Sequence, residues 1–185
     1  MRHVALLRGI NVGGNNKISM KELKKVFEEA GMEAVKTYIN SGNIIFSSHN
    51  PSTKALAELL EVAILTNFDL KIRVLVYNFD QYEKIAQAIP PLWTNGDQMK
   101  SDVLFLWEEI DRESILEEVV VKPEIDQLLY VPGALLWAVD RQWVTRSGMM
   151  KLTGSALYKR MTVRNVNTAR KIYELMREEQ EKNFL

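Results

Sequence analysis

The apolar positions of the chain fall into short runs and helical repeats that predict a fixed order of elements. His3 to Leu7 is an apolar run bounded by Arg2 and Arg8 and predicts a strand. A polar, glycine-rich stretch follows. Met20, Leu23, Val26, Phe27 and Ala30 then recur on one face of a helix. Ser19 with Glu22 forms a capping box at its start, and Gly31 supplies a left-handed residue at its end. Ala34 to Ile39 and Asn43 to Ser47 predict two strands around the turn Asn40-Ser41-Gly42. Asn50 and Pro51 open a second helix carrying Leu56, Leu59, Leu60 and Ala63, and Ile72, Val74 and Val76 alternate along a fourth strand. The order is βαββαβ.

Right-handed crossovers fold that order into a four-stranded antiparallel sheet with both helices on one face, a ferredoxin-like arrangement of the α+β class. A further helix is expected from Asp80 to Ile89, ended by Pro90-Pro91. The polar run Thr94 to Lys100 then predicts a linker over 91–100, between a first half at 1–90 and a second at 101–185. The second half reads as a strand at Val103 to Trp107, a helix at Asp111 to Glu118, and a hairpin of Leu128 to Val131 with Leu135 to Val139 about Pro132-Gly133. Helices at Met150 to Arg160 and Val166 to Glu181 close it. That is βαββα, with a last strand missing or reduced to a few residues near Thr162.

Composition narrows the function classes. The 185 residues are 46% hydrophobic and 26% charged, which places the chain among ordinary globular proteins. With no cysteine there is no disulfide, thiolate nucleophile or cysteine metal site. Arg2 and Arg8 interrupt the first apolar run, so it does not read as a signal peptide; no run has membrane-spanning length, and the cytoplasm is the expected compartment. The 24 basic and 24 acidic residues cancel, which argues against bulk attraction to DNA or anionic lipid. Their distribution is uneven. Met1 to Lys21 holds four basic residues and Arg141 to Tyr173 eight, neither with any acid, whereas Ser101 to Asp126 holds nine acids.

The loop Arg8 to Lys17, RGINVGGNNK, is the main candidate for chemistry, because its glycines permit backbone turns that present N–H groups to an anion. It is not a P-loop: Asn15 stands where the lysine belongs and no Ser or Thr follows. In a βαββαβ sheet the first loop and the hairpin turn share one end, so Arg8 to Lys17 and Asn40 to Asn43 are expected to be neighbours. The cluster offers arginine, lysine, amides and the Ser41 hydroxyl, and no carboxylate. It suits binding of negative charge better than proton transfer. His3 and His49 read as structural or exposed, not as metal ligands.

RGINVGG near the start, TYINSGNIIF at Thr37 to Phe46 and TVRNVNT at Thr162 to Thr168 resemble the family known as domain of unknown function 1697, although Val166 stands where the family is expected to carry a larger aromatic residue. The resemblance spans nearly the whole chain. It implies a two-part α/β fold and a shared polar site that ties Arg164, Asn165 and Asn167 to Arg8 and Asn43; it implies no substrate or cofactor. The leading expectation is a site for a small phosphate- or carboxylate-bearing ligand, with charge from Arg8, Lys17 and Arg164. Asn11, Asn15, Asn40, Ser41, Asn43, Asn165 and Asn167 would orient it, while Gly13, Gly14 and Gly42 let the backbone approach. Asn165 or Asn167 would serve equally as a helix cap. Whether the protein is an enzyme stays open. A nucleic-acid-binding module using the basic C-terminal segment and a protein-interaction module using the acidic segment are the alternatives.

Overall fold

A central strand, β1 (Arg2–Leu7), is hydrogen-bonded along both edges and buried at every residue. The computed structural model describes the backbone of residues 1–182 and the side chains of residues 1–178. After β1 come α1 (Met20–Glu29), β2 (Glu33–Tyr38), β3 (Asn43–Ser47), α2 (Thr53–Phe68), β4 (Val74–Asn78) and α3 (Phe79–Ala88). The chain continues through β5 (Met99–Leu106), β6 (Asp126–Val131), β7 (Ala134–Asp140), α4 (Met149–Thr153), β8 (Met161–Asn165) and α5 (Val166–Lys182). This is a mixed α/β protein with two four-stranded antiparallel sheets, ordered β2-β3-β1-β4 and β6-β7-β5-β8, neither closed into a barrel. One compact unit holds Met1–Tyr82 with the chain from Ile172 as far as it is described, and the other holds Glu83–Lys171. The divisions thus fall inside α3 and α5. The last three residues of the expected second half lie outside the described residues.

The helix ends of the first unit follow the sequence signals closely. Ser19 Oγ accepts a hydrogen bond from the Glu22 N–H, and Leu23, Val26 and Phe27 are the buried face of α1. At the other end Gly31 has φ +88°, its N–H donates to Glu28, and the Met32 N–H donates to Phe27 at 3.0 Å. That pair of bonds is a Schellman stop. α2 starts two residues later than the Asn50-Pro51 signal implies, because Ser52 is the residue whose hydroxyl caps it, at 3.1 Å from the Ala55 N–H. Its buried face is Leu56, Leu60 and Ile64; Leu59 is exposed. The core between sheet and helices joins Ala5, Leu7, Phe27, Ile44, Phe46 and Val74.

His3 lies buried in β1, its ring stacked on Phe46 with centroids 5.5 Å apart. Burial pushes the imidazole below its ordinary value, and the adjacent amino terminus and Arg2 push the same way, offset in part by the Met1 backbone. His49 is exposed beside Glu33.

The second unit departs from expectation in three places. The stretch expected as a helix at Asp111 to Glu118 forms two 3-10 turns, Glu108–Ile110 and Glu113–Glu117. Eight residues dense in like charge nucleate a helix poorly, and Asp111 is pinned elsewhere, its Oδ1 accepting from Gly133 N at 2.8 Å and Tyr130 Oη at 3.0 Å. Burial and that carboxylate push the Tyr130 phenol up to about 12. The helix expected at Met150 to Arg160 is split into α4 and a 3-10 turn at Leu157–Arg160, since Gly154 and Ser155 interrupt it and the Ser155 hydroxyl donates to the Leu152 carbonyl. The last strand is present in full: β8 pairs with β5 from Met161 to Asn165. Its buried Thr162 and Arg164 hide the apolar alternation that would have revealed it.

The stretch 91–100 is irregular only to Gln98 and enters β5 at Met99. It is tied to its own unit. Ser101 Oγ donates to the Thr94 carbonyl at 2.6 Å, Arg141 Nε to Gly96 at 2.8 Å, and Arg170 to the carbonyls of Trp93 and Pro90.

Asp126 organises the rest of this unit. Its buried carboxylate accepts four hydrogen bonds, from Ser147 Oγ at 2.5 Å, Gly148 N at 2.8 Å, Lys122 N at 2.9 Å and Trp137 Nε1 at 3.2 Å. Gly148 must be glycine because an added Cβ would sit 1.8 Å from the Val120 carbonyl oxygen. Gly148→Ala is therefore expected to cost about 3 kcal/mol, the upper end for overpacking, since a backbone atom cannot step aside; urea denaturation measures it.

Burial alone would raise the Asp126 carboxyl, but its hydrogen bonds together outweigh that and hold it below 3.8. A carboxylate depressed in the folded state stabilises it fully above the unfolded value and loses that contribution as pH falls through the folded one. Asp126→Asn is expected to cost about 2 kcal/mol near neutrality through mismatched buried donors. The gap between variant and wild type should narrow as pH drops below about 3.8, and a constant gap down to pH 2 would contradict it.

Candidate functional site

β1 and β2 each lie antiparallel to β3, so they run the same way and their following loops emerge at one end of the sheet. The two loops meet as expected. Leu7 N donates to Gly42 O at 2.9 Å, and the Asn11 side-chain amide donates to Asn40 O at 2.9 Å. Asn11, itself at φ +53°, also donates to the Ile18 carbonyl at 3.0 Å and accepts from the Ile18 N–H at 2.9 Å. One side chain therefore clamps both ends of the loop to the hairpin turn.

Beyond that clamp the loop forms a miniature hairpin: Asn11 N donates to Asn16 O, Asn15 N to Val12 O, and the Asn16 amide to Gly9 O. Gly13 at φ +59° and Gly14 at φ +79° form its tip, a two-residue turn that needs positive φ at both positions. On the neighbouring turn Asn43 is buried, and its amide donates to Tyr38 O and to Ser41 Oγ, both at 3.0 Å. Gly42 is buried at φ +83°, where a Cβ would lie 2.7 Å from the Leu7 Cβ.

Asn11, Gly14, Lys17 and Asn40 line an open recess of about 500 Å³ together with Ile18, Ser19 and Met20 at the start of α1. Its lining contains no acid. Lys17 is exposed and, among the described residues, makes no hydrogen bond or ion pair, and the N–H groups of Gly13 and Gly14 at the exposed tip make no hydrogen bond either. Asn15 is exposed at the rim, and half-buried Arg8 donates its backbone N–H to Arg73 O at 3.0 Å without lining the recess. Ser19 and Met20 carried no functional signal in the sequence; Ser19 reads there only as a cap.

Arg164, Asn165 and Asn167 belong to the second unit and have work there. Arg164 is buried and donates to Thr162 Oγ1 at 3.0 Å and Val163 O at 2.8 Å. Asn165 caps α5, its Oδ1 accepting from the Thr168 N–H at 2.9 Å. Asn167 exchanges two hydrogen bonds with the Asn95 backbone. Among the described residues no group of three His, Asp or Glu side chains could hold a metal ion, and no helix is long and apolar enough to cross a membrane.

The turn makes a sharp demand on its glycine. Gly42→Val combines a β-branched residue at positive φ with a Cβ driven into Leu7 and Ile10. It is expected to destabilise the protein by at least about 3 kcal/mol, whereas Gly13→Ala at the open tip should cost about 1 kcal/mol, from backbone strain alone. Paired thermal melts test the difference.

The comparisons bear on the whole chain. A conserved bacterial protein, SP0830 from Streptococcus pneumoniae, has a similar solved structure, at 29% sequence identity and a TM-score of 0.81, with 95% of this chain and 98% of that one covered. None of the curated proteins searched matches. A family model described as "Protein of unknown function (DUF1697)" matches residues 1–137. With nearly three-quarters of its length under that model, the chain belongs to the DUF1697 family.

Proposed function

We propose that the protein binds a small phosphate- or carboxylate-bearing ligand in the recess between the first β–α loop and the β2–β3 turn. The observation that carries this reading is a polar recess of about 500 Å³ whose lining has a lysine and no acid. Lys17 supplies the charge, the N–H group of Gly14 and the first turn of α1 supply further donors, and the Asn11 clamp keeps the loop preorganised. The strand order β2-β3-β1-β4, repeated as β6-β7-β5-β8, supports reading each unit as ferredoxin-like. In that reading the ligand sits at the loop end of the sheet and not on its face.

The nucleic-acid alternative draws no support from the sheets. Base stacking on such a sheet needs exposed aromatics on the central strands, and here β1 is buried throughout, with Asn43 to Phe46 of β3 buried beside it. Titration calorimetry with inorganic phosphate, pyrophosphate and citrate at low ionic strength tests the proposal. At least one should bind, and Lys17→Ala should weaken it about tenfold, the loss of one charge-assisted bond, with an unchanged melting temperature because the side chain is exposed. No heat from any of the three, or binding indifferent to Lys17, would remove the reading.

A further inference from the structure

The central strand of the first unit carries an ionisable ring at a position where its neighbours are apolar. His3 shares a face of β1 with Ala5 and Leu7, both part of the core, and its cross-strand neighbours are Phe46 on β3 and Asn78 on β4. The ring is fully buried and stacks on Phe46 at 5.5 Å between centroids, while Phe27 of α1 meets Phe46 edge-on at 5.9 Å. An aromatic hydrocarbon would fill this place equally well. Yet the residue is histidine, and among the described residues neither of its ring nitrogens has a hydrogen-bond partner.

A neutral imidazole tolerates that setting and an imidazolium does not. Protonated, the ring carries a full charge and donates from both nitrogens, so two buried donors would go unmet. The charges that act on it are those of the Met1 amino group and the Arg2 guanidinium, both positive, and no carboxylate is among them. Both cations are held in place. The Met1 amino group donates to Ser48 O at 3.0 Å, and Arg2 donates to Ala34 O at 3.3 Å and Ser47 Oγ at 3.2 Å. Phe46, Phe27 and Asn78, from the elements packed beside the ring, carry no charge. The Met1 backbone favours the proton without meeting a ring nitrogen in hydrogen-bond geometry, and burial outweighs it.

We propose that His3 is an acid-sensitive lock on β1: the strand stays packed while the ring is neutral, and uptake of one proton from solvent forces it out of the sheet. Because β1 is bonded to β3 and β4 along its two edges, its release opens the sheet of the first unit, and with it the recess, whose first loop leaves the end of this strand. The sign follows from linkage. The unfolded chain takes up the proton at 6.5 and the folded one only at lower pH, so stability present above 6.5 is lost as pH falls beneath it. Each pH unit in that window raises the opening constant by about tenfold. His49, exposed beside Glu33, has no such leverage.

Native-state hydrogen exchange of the Val4, Ala5 and Leu6 amides, corrected for intrinsic rates, reads the opening in the wild type, His3→Phe and His49→Gln between pH 7 and pH 5. Relative to His3→Phe, which keeps the stacked ring and removes the titrating nitrogens, the opening constant of the other two should rise by about tenfold over that interval. Equal pH dependence in His3→Phe and the wild type overturns the proposal. Should His3→Phe fail to fold, the His3 ring resonances of the wild type, assigned through His49→Gln, decide. A ring that stays neutral in the folded protein to pH 5 while β1 loses protection upholds the lock. Protection that does not fall, or a ring that titrates near 6.5 with β1 still protected, overturns it.

Discussion

The pairing of β3 against β1 is the constraint on which the first unit depends. Because β1 is hydrogen-bonded on both edges and buried along its length, it is central, and β3 separates it from β2. That separation makes β1 and β2 run in the same direction, which delivers two loops distant in sequence to one end of the sheet. The recess is a consequence of strand order before it is a consequence of any loop residue. The second unit obeys the same rule with different residues. There Leu106 N donates to Gly133 O at 2.9 Å, as Leu7 N donates to Gly42 O at 2.9 Å.

The two ends then diverge in charge, and the divergence turns on one position. In the first unit the loop is fastened to the turn by the neutral amide of Asn11; in the second the loop after β5 is fastened by the carboxylate of Asp111. Both side chains accept from a backbone N–H and hold a loop in place. Only the carboxylate leaves a negative charge behind. The Asn11 amide reaches the turn by donating to a carbonyl, where Asp111 accepts from an N–H, and so keeps the sheet end free of acid, which lets Lys17 stand beside it without an internal counterion.

Most of the first unit was legible because its signals are local: Ser19, Gly31 and the Asn40-Ser41-Gly42 turn each fix a backbone conformation within a few residues. The second unit was less so, since its organiser acts at long range. Asp126 collects donors from Lys122, Trp137, Ser147 and Gly148, and nothing in the spacing of those residues marks them as partners. β8 was legible only as a strand missing or reduced to a few residues near Thr162, because its buried polar side chains imitate a solvated loop.

The polar residues of the first loop show why residue type alone does not separate construction from recognition. Asparagine is favoured where the backbone takes positive φ and where its amide can substitute for a turn's missing hydrogen bonds, which is what Asn11 and Asn16 do. Asn43 spends its amide on Tyr38 and Ser41, so the Ser41 hydroxyl is engaged as well. Subtracting these leaves the groups with unspent donors at the recess: the Lys17 ammonium and the N–H group of Gly14. Both donate, and they are held by asparagines that cannot ionise. Under the proposed reading, a site so composed meets negative charge with hydrogen-bond donors alone, and its lining holds no carboxylate or imidazole.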